Sequence, residues 1–353
     1  MTITIDCRHI ESSGMGVFTR ECLPIFLNSA HSFILLGNRE KLTNYTSNHS
    51  NAEILDCRIK PFSLRELFFF PSHCLSKINS ADCYFSPYFN IPCGIKIPIY
   101  TIIHDIMFPD FPELCSKIGL AARMWFYRRA FKRSKKVFTV SRYSKSRIEY
   151  YLGNKVPLVV ICNGIQSWML QIKKKEKKNN TIVFIGNIKK HKGLELLLDA
   201  FLLAKAEGLS HQLIIIGKKD NFRTRDNSFL KKIDSFEGEF VNFTGHISDE
   251  KLAEYLSAAA LLVQPSLFEG FGIPPLEAMT LGTQALISDI PVLREVYEGF
   301  PVVFFRSGDK LDLKNKMMDI LFNKEPSSVH LSDELLSKYT FQKATEAILG
   351  VLQ

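Results

Sequence analysis

Two glutamates eight positions apart, Glu269 and Glu277, enclose the segment EGFGIPPLE. Its two prolines, Pro274 and Pro275, suit the first turn of a helix and not its interior, so they predict a helix that carries Glu277 in its first turn. The apolar run at 260–265 predicts a buried strand before the loop that carries Glu269. A strand, loop and helix in this order leave backbone N–H groups for phosphate oxygens, while the carboxylates can accept from sugar hydroxyls. The segment therefore indicates a site for a ligand with both groups, such as a nucleotide-sugar.

Length and composition indicate a globular protein. With 353 residues, 46% of them hydrophobic and 23% charged, two domains of about 150–200 residues are expected. No run of 18 apolar residues is present to span a membrane, and the first six residues resemble a strand more than a signal peptide. All eight cysteines lie at or before Cys162 without a C-x-x-C pair. These features predict a cytoplasmic protein with reduced, mostly buried thiols.

Positive charge is concentrated in one stretch. The net charge is +9, and residues 117–155 hold twelve Lys or Arg against one acid, Glu149, with apolar and aromatic residues between them. This pattern fits an amphipathic segment that binds an anionic membrane surface. Such a segment would make a peripheral contact with the inner face of the cytoplasmic membrane. A solvated helix face over a core is the alternative. Nucleic acid is not an expected partner, since no recognised binding motif accompanies the charge.

Short apolar runs alternate with helical patterns in both halves of the chain. Strands are predicted at 2–6, 32–36, 82–86, 98–103, 136–140 and 158–162, and then at 181–186, 212–217, 241–245, 260–265, 284–289 and 301–305. Helices are predicted in the second half at 192–207, 249–258, 275–281, 292–298 and 309–322. This alternation predicts an α/β protein with parallel, doubly wound sheets, whose ligands bind at the carboxyl ends of strands. Glu269 and Lys192 both fall at such ends.

Two further segments organise the chain. Gly14 and Gly16 follow the first strand and open a helix; they fit either a tight turn or a loop that contacts acceptor or phosphate, and they fall short of a full dinucleotide fingerprint. The polar, charged run at 173–180 reads as a linker between two domains.

These motifs together resemble the family 4 retaining glycosyltransferases, in particular their bacterial mannosyltransferase-like branch. The resemblance is carried by residues 243–252 (FTGHISDEKL) and 264–279 (QPSLFEGFGIPPLEAM), and by IDCR at 5–8, FSPY at 85–88, IHDI at 103–106, TVSRYSK at 139–145 and CNGI at 162–165. It implies the GT-B fold: two facing Rossmann-like domains with the active site in the cleft between them. The implied division is an acceptor-binding domain at 1–165, a linker at 166–180, a nucleotide-sugar domain at 181–335 and a final helix at 336–353 that returns towards the first domain.

The resemblance also implies roles for the loop residues. Glu277 would hold the ribose hydroxyls of the nucleotide and Glu269 the hydroxyls of the donated sugar, as suits acceptor-only carboxylates. Backbone N–H groups of Gly270, Phe271 and Gly272 would contact the donor. The alternatives are a helix-dipole partner for Glu277, a solvated acid for Glu269 and an ordinary turn for the glycines.

A second implied contact is the loop that begins at Gly186 and Asn187. Lys192 would hold the diphosphate and stabilise the charge that develops on it, without a metal and without a cofactor. Asn187 stands where the family often has arginine, and Lys189 or Lys190 could compensate or be plain surface lysines. His104 is implied to lie near the donor sugar or acceptor, although a strand-end histidine is equally often structural.

The function implied is transfer of a hexose, first of all mannose from GDP-mannose, to a lipid-linked oligosaccharide in O-antigen, capsule or exopolysaccharide synthesis. Other donors remain open, namely UDP-hexoses, UDP-N-acetylglucosamine and dTDP-rhamnose. So do two other functions on the same fold: a nucleotide-sugar epimerase and a binding protein without catalysis.

Overall fold

The computed structural model describes residues 1–12, 14–172, 179–217, 238–322 and 328–353. The chain divides into two compact units, one of residues 1–164 with 340–353 and the other of residues 165–339. Residues 173–178 of the predicted linker lie outside the described part. Before them, Ser167–Gln171 forms a turn of 3₁₀ helix.

The first unit is built on a parallel sheet of seven strands in the order β3-β2-β1-β4-β5-β6-β7. The strands are β1 Thr2–Asp6, β2 Ser32–Gly37, β3 Ala52–Asp56, β4 Cys83–Ser86, β5 Ile99–Ile102, β6 Lys136–Thr139 and β7 Leu158–Val160. Nearly every residue of β1, β2 and β4 is buried, because helices cover both faces of the sheet and demand continuous apolar runs.

Seven helices of the described residues flank this sheet. They are α1 Met15–Leu27, α2 Arg39–Thr46, α3 Leu64–Phe68, α4 Ser72–Ile78, α5 Lys117–Arg133, α6 Arg142–Leu152 and, at the end of the chain, α13 Phe341–Leu352. Helices α5 and α6 begin after Ser116 and Ser141, whose hydroxyls accept backbone N–H groups of the first turn. Helix α13 packs into the same core as α1, with the rings of Phe341 and Phe18 5.8 Å apart.

The second unit holds a parallel sheet of six strands in the order β10-β9-β8-β11-β12-β13. Its strands are β8 Thr181–Ile185, β9 Gln212–Ile216, β10 Val241–Gly245, β11 Leu261–Gln264, β12 Gln284–Ser288 and β13 Val303–Phe305; its described helices are α7 Leu194–Ala206, α8 Asp249–Ala258, α9 Ile273–Thr280, α10 Pro291–Val296, α11 Lys310–Phe322 and α12 Asp333–Lys338. The strand order reverses between the neighbours β8 and β11, the point at which doubly wound sheets bind ligands.

The predicted fold class, two parallel doubly wound sheets with flanking helices, is confirmed. Strand β3 was not predicted. It lies at the edge of the first sheet, is half-buried and carries Glu53, so its sequence lacks the apolar run that marks the inner strands.

Two predictions about composition can be compared with the fold. The eight cysteines are free thiols, and five of them are buried: Cys7, Cys22, Cys57, Cys74 and Cys83. None of the helices in the described ranges is both long and apolar enough to cross a bilayer.

Candidate functional site

The two glutamates lie around the start of α9. Strand β11 ends at Gln264, the loop 265–272 carries Glu269, and α9 begins at Ile273. The predicted place of Glu277 in the first turn was wrong: the helix begins one residue before the prolines, and no acid lies in its first turn. Because the helix dipole acts mainly within the first turn, it gives no strong reason for a carboxylate at Glu277.

The start of α9 offers few backbone donors to an anion. Pro274 and Pro275 have no N–H, and the N–H of Leu276 donates to the hydroxyl oxygen of Tyr297 at 2.9 Å. The Tyr297 hydroxyl in turn donates to the carbonyl of Gly272. Of the first four residues of this described helix, Ile273 is left to offer an N–H. The N–H groups expected for phosphate binding must therefore come mainly from the loop before the helix.

Gly272 allows the loop to enter the helix at this angle. Its φ is +85°, in the left-handed region, and a Cβ there would lie 2.6 Å from Cδ2 of Leu293 on α10. The backbone conformation favours glycine, whereas the Leu293 side chain could move aside to make room for a Cβ. Phe271 packs its ring edge against Tyr339, with the centroids 5.1 Å apart, which anchors the other side of the loop.

Glu269 is a buried, ionised carboxylate. Its two oxygens accept from Nζ of Lys192 at 2.7 and 2.8 Å, and Oε1 also accepts from the Ser266 hydroxyl at 2.7 Å and from Nε2 of Gln264 at 2.5 Å. Burial alone would raise the pKa of Glu269, but the Lys192 ammonium and these hydrogen bonds outweigh it and lower the pKa below its usual value.

The fold brings Lys192 and Glu269 together although they are 77 residues apart. Each lies in the loop after one of two neighbouring strands, β8 and β11. Gly193 has a φ of +70°, and a Cβ there would lie 2.0 Å from the carbonyl oxygen of Pro265, so the two loops touch backbone to backbone. The N–H of Leu267 also donates to the carbonyl of His191 at 2.8 Å.

Gly186 and Asn187 begin the loop that carries Lys192. The N–H of Gly186 donates to the Ile216 carbonyl, and a Cβ on Gly217 would lie 2.0 Å from the Gly186 oxygen, so the two chain segments are in backbone contact here. Asn187 is half-buried beside it. Burial, together with the nearby Lys192 charge, lowers the pKa of His191 to about 4, so His191 adds no cation to the loop at neutral pH.

Glu277 is buried with a single hydrogen-bond donor among the described residues, Nε2 of Gln166 at 3.0 Å. Oε1 of Gln166 accepts in turn from the Trp168 indole at 3.3 Å. Burial raises the pKa of Glu277 to about 7, and the Gln166 hydrogen bond offsets part of the rise. Sequence reasoning missed Gln166; its one signal is its place directly after the CNGI motif.

His104 lies in the first unit, just after β5. Its Nε2 bonds the Pro87 carbonyl at 2.9 Å, and its ring packs on Phe18 at 5.7 Å and Tyr88 at 6.3 Å. Burial lowers the pKa of His104 to about 4. Because a carbonyl can only accept, Nε2 carries the proton of this neutral ring, and Nδ1 is left as an acceptor.

Gly14 and Gly16 are glycines for different structural reasons. A Cβ on Gly16 would lie 2.5 Å from the carbonyl oxygen of Ile10, so glycine is needed where α1 passes the loop after β1. Gly14 has a φ of +63° with nothing near its Cβ position, as a turn before a helix requires.

Within the described ranges, no three His, Cys, Asp or Glu residues gather into a potential metal site.

Residues 168–333 match the family model described as Glycosyl transferases group 1. Among curated proteins, the chain is similar to the O-antigen chain mannosyltransferase RfbU of Salmonella typhimurium, 27% identical over 247 residues, which are 70% of this chain and 67% of RfbU. It is also similar to the O-antigen chain mannosyltransferase B of Escherichia coli, 27% identical over 60% of this chain and 58% of that one. An uncharacterized glycosyltransferase of Methanocaldococcus jannaschii is 25% identical over 72% of this chain and 69% of its own length.

Solved structures share the fold at low sequence identity. Anabaena HepE, in a complex with UDP and glucose, aligns over 100% of this chain and 99% of its own, with a TM-score of 0.73 and 16% identity. The sucrose-phosphate synthase of Thermosynechococcus elongatus aligns over 100% of this chain and 94% of its own, with a TM-score of 0.65 and 17% identity.

Proposed function

We propose that the protein, a glycosyltransferase whose residues 168–333 match the model of Glycosyl transferases group 1, moves a hexose from a nucleotide-sugar to a lipid-linked oligosaccharide of a bacterial surface polysaccharide. The first donor to consider is GDP-mannose. The transfer would retain the anomeric configuration. The observation that carries the proposal is the ion pair of the half-buried Lys192 with the buried Glu269 where the strand order reverses, with Glu277 on the following helix.

Lys192 is proposed as the cation for the donor diphosphate. In the structure it neutralises Glu269, and both are held by loops that cannot separate without breaking backbone contacts. A diphosphate beside Lys192 would compete for its three donors, while Ser266 and Gln264 continue to hold Glu269 in place. A fixed ammonium at this position stabilises the charge that grows on the leaving phosphate, which supports donor binding without a metal.

In this proposal the two carboxylates bind different parts of the donor. Glu269, kept ionised by Lys192, accepts from hydroxyls of the hexose, and Glu277 accepts from the ribose diol when it is ionised. The acceptor hydroxyl oxygen bonds the anomeric carbon as the bond to the diphosphate oxygen breaks. The electron pair leaves with the nucleotide, and a phosphate oxygen takes the proton of the acceptor.

Mannose is the first candidate because two of the relatives are named O-antigen chain mannosyltransferases. UDP-hexoses, UDP-N-acetylglucosamine and dTDP-rhamnose are the competing donors. The HepE complexes hold UDP-glucose or UDP and glucose, but at 16% identity they support the fold and not the choice of donor.

A thermal-shift screen tests the proposal. The purified protein is melted with GDP-mannose, UDP-glucose, UDP-N-acetylglucosamine, dTDP-rhamnose and free nucleotides, with EDTA present throughout. A donor that binds the native state raises the melting temperature by mass action, about 2.7 kcal/mol of stabilisation at a hundred times its Kd. We expect a shift with the guanosine series that survives EDTA.

Two variants make the screen specific. Lys192→Ala should abolish the shift by the donor; its starting melting temperature will fall because Glu269 stays buried without its cation, so the increment caused by the donor is the quantity to compare. Lys310→Ala removes an exposed lysine outside the two donor loops and should leave the increment intact. Equal increments in both variants, or no increment with any nucleotide, would contradict the proposed donor site. Conversion of the donor without an acceptor would point to an epimerase.

A further inference from the structure

The first unit exposes apolar side chains on a short helix. Leu64, Phe68 and Phe69, on and directly after α3, are 71%, 63% and 75% exposed. Three large apolar side chains within six residues, with the exposed Arg65 among them, are more than a solvated surface usually carries in one place. The helix is not displaced from the fold, since Ser63 caps it and the Glu66 side chain between them is buried and ion-paired with Arg8.

Helix α5 exposes a second apolar stripe. Ile118 is 84% and Trp125 48% exposed, and Ala121 and Ala122 lie between them on the same side, at the i, i+3, i+4 and i+7 spacing of one helical face. The stripe continues into Arg128 and Lys132, and no acid occurs anywhere in the helix. The opposite side, with Met124, Tyr127 and Phe131, is buried in the core.

Packing joins the two elements. The ring of Phe62, just before α3, lies 5.0 Å from the ring of Phe126 on α5. Residues between the two helices link them further: the N–H of Cys93 donates to the Glu66 carbonyl, and the guanidinium of Arg129 donates to the Ile91 carbonyl at 2.6 Å. Helices α3 and α5 are therefore neighbours that are fixed to each other through these residues.

The basic stretch predicted from sequence is not all available to a partner. Arg147 is paired with Asp110, Arg129 and Arg133 donate to backbone carbonyls, and Arg123 lies over the ring of Phe108. The cations that border the apolar stripe are a smaller set: Lys117, Arg128 and Lys132 on α5 and Arg65 on α3.

We propose that this face, which we name the α3–α5 face, docks the protein on an anionic phospholipid bilayer. It consists of the apolar Leu64, Phe68, Phe69, Ile118 and Trp125 and the cations Lys117, Arg65, Arg128 and Lys132. Aromatic and aliphatic side chains enter the boundary between headgroups and acyl chains, while the cations at the border meet lipid phosphates. Trp125, with an apolar ring and one N–H, suits that boundary.

Charge complementarity favours a bilayer over a second copy of this chain. The α3–α5 face presents four cations, and helix α5 contributes no acid to it. Two identical faces that meet across a two-fold axis would therefore repel each other. The proposal agrees with a lipid-linked acceptor but rests on its own observations, so it stands or falls separately from the donor site.

Vesicle sedimentation tests the face. The full chain is mixed with vesicles of phosphatidylcholine alone or with added phosphatidylglycerol. We expect binding to the anionic vesicles that falls as salt is raised, since charged contacts are screened. The double variants Phe68→Ser with Phe69→Ser, and Ile118→Ser with Trp125→Ser, should each weaken binding by about tenfold or more through lost apolar burial.

Leu311→Ser with Phe322→Ser is the matched control, because both are exposed apolar residues of the second unit. It should bind as the native chain does. Equal binding by the α3–α5 variants, or no binding by the native chain, would overturn the proposal. A loss of self-association in those variants, with no vesicle binding by the native chain, would assign the face to a second copy instead. The donor-induced thermal shift should persist in every variant, which separates this outcome from a failure of the donor site.

Discussion

At the scale of single residues, the pKa values of the two glutamates of one loop and helix are shifted in opposite directions. Glu269 has three donors around its oxygens, one of them a cation, and its pKa lies below the usual value. Glu277 has one amide donor, and burial raises its pKa to about 7. A carboxylate short of donors has capacity for a ligand, and the ribose diol proposed for Glu277 would supply two.

This difference predicts opposite effects of pH on stability. The pKa of Glu277 is higher in the folded protein, about 7, than in the unfolded chain. Its contribution to the free energy of unfolding is therefore fully present below pH 4.5 and is lost as the pH rises through about 7. The whole change is roughly 3 kcal/mol. Glu277→Gln should therefore increase the free energy of unfolding at pH 8 far more than at pH 5, as measured by urea denaturation.

Glu269→Gln is the control of opposite sign. Its carboxylate has a lowered pKa, so its contribution is present above the unfolded pKa and is lost as pH falls. The glutamine should destabilise the protein at pH 8, where it leaves Lys192 without its anion. If the stability of both variants depended on pH in the same way, the opposite pKa shifts assigned to Glu269 and Glu277 would be wrong.

At the scale of elements, helix α9 is held in place by a residue from outside it. Tyr297 accepts from the N–H of Leu276 and donates to the carbonyl of Gly272, so one hydroxyl satisfies two backbone groups at the helix start. The Tyr297 ring contacts Phe300, which stacks on Tyr339. The position of Glu277 and of the loop before it therefore depends on Tyr297, which acts through the backbone.

Tyr297→Phe should weaken donor binding as well as stability. It leaves a buried N–H and a buried carbonyl unpaired, which costs about 1–3 kcal/mol, and it releases the loop that carries Glu269. We expect a several-fold rise in the KM for the donor with a smaller change in kcat. Tyr339→Phe is the comparison, because it also loses a buried hydroxyl, bonded to the Val296 carbonyl at 2.8 Å, without touching the helix start. A KM raised equally by both would mean that the effect is general loosening.

The elements also show what local sequence can and cannot reveal. Apolar runs and glycine or proline punctuation located β8 to β13 within two residues, because those signals are local. The half-buried edge strand β3 lacked the signal. The partner of Glu277, Gln166, lies 111 residues away and follows from the topology of the second unit, which no local pattern contains. The residue pattern singled out Glu269 and placed Lys192 at the end of a predicted strand, and the family resemblance implied their roles. The structure adds that they form an ion pair.

At the scale of the whole molecule, the end of the chain completes the first unit. Helix α13 buries Phe341, Ala344, Ile348 and Leu352 in the same core as α1 and the sheet. Its start is fixed by Thr340, whose hydroxyl accepts from the N–H of Lys343. Gly164 lies against that start: a Cβ there would be 2.2 Å from the backbone nitrogen of Phe341 and 2.5 Å from the carbonyl carbon of Thr340.

Gly164→Ala should therefore detach α13 from the first unit. The added methyl meets backbone on the opposing segment, which cannot rotate aside as a side chain could, so we expect a loss of at least about 1–3 kcal/mol, the usual cost of overpacking. The signature should be early proteolytic cleavage before Phe341, with the donor-induced thermal shift retained. Gly350→Ala gives the contrast, since it lies within α13 with nothing near its Cβ position and should be neutral or stabilising by about 0.5–1 kcal/mol through helix propensity. If both substitutions were equally tolerated, the close approach at Gly164 would not be what holds the end of the chain, and the burial of Phe341 would have to suffice.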